Sequence, residues 1–404
     1  VQGVMGSGEA AERLNIRQMD FLSRFAINAD AEMLARLAAD PDVLRIDPDR
    51  EVGLYLNQGN PTSLDVIQMP TAWAAGATGA GQNVAILDTG GRRTHKFLNA
   101  RIVSAACYSV HNPGDNRYSI CPGNVQESTH IDSANDCDNT TIAGCGHGTH
   151  VAGTAAGFNN APLAGEPLFG VARNAGIISI NVFHRRPSAF CNNPLSNGCV
   201  LASSFDIDKG LERVFALRNT YNIAAVNMSL GGGLYNTSCD SLNSSTTTLI
   251  NNLRNAGIAT VIAAGNDGSD THVGWPACIS NAVTVASTTK ADGLSGFSNW
   301  GSLIDLVAPG SSIYASDVSG PSGNTWSTKS GTSMAAPHVA GAFAALKSVA
   351  TSASVTQIEN ALKITDVIKD HMNSIVTRSR SNEPQKVLED MTRDVQKLLP
   401  RKAS

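Results

Sequence analysis

Residues 176–183, GIISINVF, and residues 223–230, IAAVNMSL, are two short apolar runs, and SSFDIDKGLERVFALRNTY (203–221) lies between them. The runs read as buried strands and the intervening stretch as a helix. Working outward, NVAILD (83–88), GIATVIAAG (257–265), AVTVAS (282–287) and LIDLVAPG (303–310) repeat the strand pattern, and TTTLINNLRNAG (246–257) repeats the helical one. Strands that alternate with helices predict an α/β body whose parallel sheet is covered on both faces.

The composition suits such a body. Apolar residues make up 42% of the 404 positions and charged residues only 16%, which excludes a disordered chain. No apolar stretch approaches the ~18 residues of a membrane span. A net charge of −4 supplies no basic field for nucleic acid or a membrane surface, so neither is an expected partner. The charge is uneven. Residues 1–56 carry 10 acids against 6 bases, and the rest of the chain balances at 24 of each. An acidic head (1–56), a linker NQGNPTS (57–63), a sparsely charged body and a charged tail are the expected divisions. The head reads as a small α+β unit. FLSRFAI (21–27) alternates like a strand, Asp30 opens a helix with Ala31, Leu34, Leu37 and Ala38 on one face, and VLRIDPDREVGLYL (43–56) is extended. In the tail, Val355, Ile358 and Leu362, then Val387, Met391, Val395 and Leu398, have helical spacing, so closing helices are expected over 354–400.

Eight cysteines, all in the body and without a CxxC pair, favour disulfides and an oxidising compartment over a zinc ribbon. Cys191 and Cys199 flank the turn-forming NNPLSNG and are the simplest pair; the other pairings stay open. An extracellular location is expected, with any secretion leader outside this sequence.

Three segments carry chemistry. Asp88 ends the apolar strand of NVAILDTGG, where open α/β sheets bind their ligands. His147 sits between glycines in GCGHGTHVAGTAAG (144–157), ahead of an alanine-rich helical run. HGTH lacks the glutamate and four-residue spacing of a zinc HExxH site. Ser333 lies where a glycine turn enters the helix of KSGTSMAAPHVAGAFAALKS (329–348), which offers backbone N–H groups to a developing anion. A serine needs a base to take its proton, and the base needs a carboxylate to fix its tautomer. DTG also occurs in aspartic proteases, but these need a second carboxylate, and no second DTG or DSG occurs here.

DTG at 88–90, GHGTHVAG at 146–153 and GTSMAAPHVAG at 331–341, in that chain order, resemble the three signature blocks of the subtilase (subtilisin-like serine protease) family. The resemblance covers roughly residues 64–350. It implies a three-layer α/β/α domain over 64–404 and a serine endopeptidase with Asp88 orienting His147, His147 as general base and Ser333 as nucleophile. VIAAGNDG (261–268) matches the family's oxyanion asparagine at Asn266. NMSLGGG (227–233) resembles its substrate-pairing edge, so Ser229, Leu230 and Gly231 would line the primary pocket opposite Ala263, Ala264 and Gly265. No cofactor is expected for catalysis. Asp305 in SLIDLVAPG matches a calcium position of proteinase K-like members, implying a structural calcium; a plain turn or core-edge aspartate is the other reading. The head resembles the C-terminal part of a ferredoxin-like inhibitor propeptide. That implies a monomeric zymogen acting on protein and peptide substrates, inhibited by its own head until self-cleavage within 54–63, near Tyr55, Leu56 and Asn57.

Overall fold

The computed structural model describes residues 17–18, 25–26, 31–41, 43, 62–191, 195–319 and 323–365. The chain divides into two compact units, Val1–Leu56 and Asn57–Ser404. In the first, β1 (Arg17–Gln18) and β2 (Phe25–Ala26) pair antiparallel and α1 spans Ala31–Ala38. Of the apolar face expected on α1, Leu37 is buried whereas Leu34 is exposed. Nearly all of the extended run expected at 43–56, residues 57–61 of the linker, and the tail from 366 onward lie outside the described residues.

The second unit opens with α2 (Thr62–Val66) and α3 (Met69–Ala74). Its eight-stranded sheet runs in the order Leu306–Pro309 (β15), Val283–Thr288 (β14), Ala259–Ala263 (β12), Ile223–Met228 (β10), Asn83–Asp88 (β3), Gly176–Asn181 (β7), Ile102–Tyr108 (β4) and Glu127–Ser128 (β6). Every pairing is parallel except β4 with the short edge strand β6. The run 176–183, read as one strand, divides after Asn181, because Phe183–Arg186 (β8) leaves the sheet to pair with Tyr118–Ser119 (β5) and Cys199–Ala202 (β9). Two antiparallel pairs complete the set, Gly232–Tyr235 (β11) with Val273–Trp275 (β13), and Ile313–Asp317 (β16) with Thr325–Lys329 (β17).

The strand alternation sorts the core into two layers. Val84 and Ile86 of β3 pack beneath α4 (His147–Ala156), α7 (Thr332–Val349) and α8 (Val355–Thr365). Ala85 and Leu87 face the other way, onto α5 (Ser204–Leu217) and α6 (Ser244–Asn255). The result is helices, sheet, helices. The chain enters the sheet at its centre with β3, adds β4 and β7 on one side and then crosses to β10 on the other. This crossing opens a crevice at the carboxyl ends of the central strands, which is where such sheets hold ligands. Four disulfides join Cys107–Cys121, Cys137–Cys145, Cys191–Cys199 and Cys239–Cys278, the third being the pair expected from its turn. No described helix is long and apolar enough to cross a membrane.

Candidate active site

Asp88 is the last residue of β3 and is fully buried. Its Oδ1 accepts hydrogen bonds from Thr89 N at 2.8 Å and from His147 Nδ1 at 2.7 Å. A proton on Nδ1 leaves Nε2 of His147 as the basic nitrogen, and about a quarter of the side chain stays open to solvent. His147 begins α4, and the glycine on each side has its own reason. Gly146 takes a left-handed conformation at φ 80°, and a Cβ on Gly148 would lie 2.1 Å from the Gly90 carbonyl oxygen. The close approach of α4 to the DTG turn therefore depends on a missing side chain. It is tied there by Gly148 N, which donates to Thr89 Oγ1 at 2.9 Å.

Ser333 is the second residue of α7. Pro337, four residues on, has no N–H to give the Ser333 carbonyl, which would normally be its intrahelical acceptor. Ser229 fills the gap: its Oγ donates to Ser333 O at 2.8 Å, and the Ser333 hydroxyl donates back to Ser229 O at 3.3 Å. The Ser333 turn is thus fastened to the end of β10. Lys329, four residues before Ser333, donates to the Gly146 carbonyl at 3.4 Å and pairs with Asp317, linking the serine turn to the histidine turn.

Asn266 follows β12. Its Oδ1 accepts from Thr332 N at 2.8 Å and Thr332 Oγ1 at 3.0 Å, which commits the oxygen and leaves the Nδ2 donor for another acceptor. A Cβ built on Gly331 would stand 3.4 Å from Asn266 Nδ2 and 3.6 Å from Ser333 N, so both donors border one small space. Asn299, not singled out by its sequence, supports this loop. It is fully buried, its Oδ1 accepts from Asp267 N and Ser269 N, and its Nδ2 donates to Ala264 O and Asp267 Oδ2.

Met228 is level with Ile262, so Ser229–Gly231 and Ala263–Gly265 leave neighbouring strands side by side. Ala263 and Ala264 are buried in opposite core layers. Gly231 cannot carry a side chain without meeting the Trp275 carbonyl at 2.8 Å. Leu230 is half-buried against the α5–α6 layer.

Asp136 is a second buried carboxylate at this end of the sheet and was not found from the sequence. It accepts from Gly146 N, Thr149 N, Thr149 Oγ1 and Cys137 N. Burial pushes its carboxyl up to about 6, against the pull of the bonds from Gly146 and Thr149.

The calcium expected at Asp305 does not fit the residues around it. Lys363 Nζ lies 3.0 Å from Asp305 Oδ1, and Thr284 N donates to Oδ2, so an ammonium ion already sits where a metal would bind. Lys363 also pairs with Glu359, which holds Arg254. Among the described residues no group of three or more His, Cys, Asp or Glu could hold a metal ion.

A parallel α/β sheet, a carboxylate–imidazole pair at its carboxyl edge and a serine at a helix N-terminus define a nucleophilic hydrolase class. A model of the subtilase family matches residues 79–388. The extracellular serine proteinase of Thermus sp. (strain Rt41A) is 35% identical over 343 residues, 83% of this chain and 69% of that protein. An extracellular protease of Xanthomonas campestris pv. campestris is 33% identical over 83% of this chain, which spans only 58% of the relative's length. A solved protease structure from Pseudoalteromonas arctica is 32% identical, with a TM-score of 0.56 over 76% of this chain and 88% of that one. The chain belongs to the subtilase family and is a subtilisin-like serine protease.

Proposed function

We propose that this protein is a secreted endopeptidase that hydrolyses peptide bonds through an acyl-enzyme. The observation that carries the reading is the 2.7 Å bond from His147 Nδ1 to the fully buried Asp88, because it presents Nε2 as a base. In the proposed mechanism Nε2 takes the Ser333 proton as Oγ attacks the substrate carbonyl, and then returns it to the leaving amine. Asn266 Nδ2 and Ser333 N stabilise the oxyanion. Their preorganisation matters more than their number, since donors already aimed need no rearrangement as charge develops. Ser229, Leu230, Gly231 and Ala263–Gly265 form the primary pocket, suited to a large apolar side chain. The four disulfides and the extracellular relatives support action outside the cell.

Labelling by a fluorophosphonate probe tests the mechanism: it is expected in the wild type and absent in Ser333→Ala. Residues 1–56 act in this reading as a removable inhibitor, released by cleavage within 54–63. Intact mass of the active enzyme decides that point, since an active species with the head still covalently attached contradicts it.

A further inference from the structure

We infer that Asp136 is a positioning residue for His147, holding the turn that carries the imidazole from both sides. The inference rests on the reading of His147 as the general base.

α4 begins without a cap of its own, because the residue before His147 is a glycine. Its first N–H groups must therefore find partners in other segments. His147 N takes the Gly144 carbonyl at 3.3 Å and Gly148 N takes Thr89. The remainder converge on Asp136. Oδ1 accepts from Gly146 N at 3.0 Å, and Oδ2 accepts from Thr149 N at 3.1 Å and Thr149 Oγ1 at 2.8 Å. The carboxylate thus straddles His147, bonded to the residue before it and to the second residue after it.

An ordinary serine or asparagine cap offers one acceptor oxygen, and a single oxygen cannot span this interval. Asp136 is only 7% exposed and has no ion pair among the described residues. Its desolvation is opposed by these donors, by Cys137 N, which also donates to Oδ1, and by the positive end of the helix. A buried charge kept on those terms, where a neutral residue would cost less, points to a demand for geometry. The chain reinforces it. Gly146 lies ten positions after Asp136, and the disulfide between their inner neighbours, Cys137 and Cys145, closes that excursion at its base. On the other side, Thr89 adjoins Asp88, so the imidazole and its carboxylate partner are registered by two separate ties to the same helical turn.

The test is steady-state kinetics of the full chain on a peptide substrate, with Ser333→Ala as control. Asp136→Asn presents an amide N–H₂ to a donor-lined site. In folded protein it is expected to lower kcat about 10- to 100-fold while KM stays within about twofold, since sub-ångström misplacement acts on the reacting geometry. Thr149→Val should lower kcat in the same sense by several-fold, and Thr149→Ser, which keeps the hydroxyl, should restore it. A folded Asp136→Asn enzyme with wild-type kcat, or equal kcat for the two Thr149 variants if Asp136→Asn fails to fold, overturns the proposal. Activity persisting in Ser333→Ala would instead remove the mechanism on which it stands.

Discussion

The two helical layers of the catalytic unit are built on different terms. α5 is an ordinary amphipathic helix: Ile207, Gly210, Leu211, Val214 and Leu217 form one buried stripe, and Phe205 on its far side is exposed. α4 and α7, which carry His147 and Ser333, have no such stripe. Residues 148–156 of α4 and 334–341 of α7 are buried without a break, and most of them are Ala, Gly or Thr. Small residues let backbone approach backbone, so position is fixed by hard contacts instead of interlocking side-chain tips. The layer that carries His147 and Ser333 has exchanged tolerance for precision, and substitutions should expose that exchange.

The largest effect is expected where α7 holds the Asn266 loop. Asn266→Ala removes a donor held by Thr332 and should lower kcat about 10²- to 10³-fold with little change in KM; steady-state kinetics on a peptide substrate measures it. Next come the two helix glycines. A Cβ on Gly341 of α7 would stand 2.6 Å from Val171 Cβ and 2.7 Å from the Ala155 carbonyl oxygen of α4, whereas the nearest atoms to one on Gly210 of α5 all belong to the side chains of Val182 and Leu87. Gly341→Ala is expected to cost about 3 kcal/mol by overpacking and to lower activity as the two helices part. Gly210→Ala should stay within about 1 kcal/mol of the wild type, because helix propensity offsets the crowding. Equal losses in denaturant melts would erase the distinction between the layers.

Acid sensitivity should divide in the same way. His338 of α7 is buried, its Nδ1 donating to Met334 O and its Nε2 bonded to Ser63 Oγ, and burial lowers it to about 4; His150 of α4 falls to about 3 for the same reason. Neither α5 nor α6 contains a histidine. The unfolded chain binds protons to these rings below pH 6.5 and the folded chain does not. Their contribution to stability is therefore present above about 6.5 and lost as pH falls through about 4. His338→Gln should flatten the slope of unfolding free energy between pH 6.5 and 4 by about one proton, roughly 1.4 kcal/mol per pH unit. The smallest effect belongs to the amphipathic layer. Thr246→Val severs a bond from α6 to Asp208 of α5 and is expected to cost about 1 kcal/mol with kcat unchanged.

What the sequence disclosed follows the same division between local and non-local causes. Six of the strands in the large sheet and the helices at 204–217 and 244–255 were legible because their apolar pattern is local. RIVSAACY forms β4 over Ile102–Tyr108 without showing an apolar run, since its serine and alanines mask it. Asp88, His147, Ser333 and Asn266 stood out through short motifs that a glycine or a strand end makes specific. Asp136 did not, because a cysteine-closed loop separates it from the turn it caps. Lys363 was invisible as the partner of Asp305 for a similar reason: they stand 58 positions apart and meet only through the docking of a helix. Spacing along a chain cannot report an encounter that only folding creates.

A protease in solution is surrounded by cleavable copies of itself. Its own exposed loops are therefore the first substrates it meets, and cutting them requires that they peel away from the fold. The clasps at Cys107–Cys121 and Cys137–Cys145 close loops of 14 and 8 residues of separation, the first from the end of β4 and the second just before His147. They limit how far those segments can stray. Removing the second clasp should shorten the working life of a concentrated enzyme more than that of a dilute one, a concentration dependence that simple unfolding does not produce. If that dependence is observed, the cross-links protect each molecule from its neighbours.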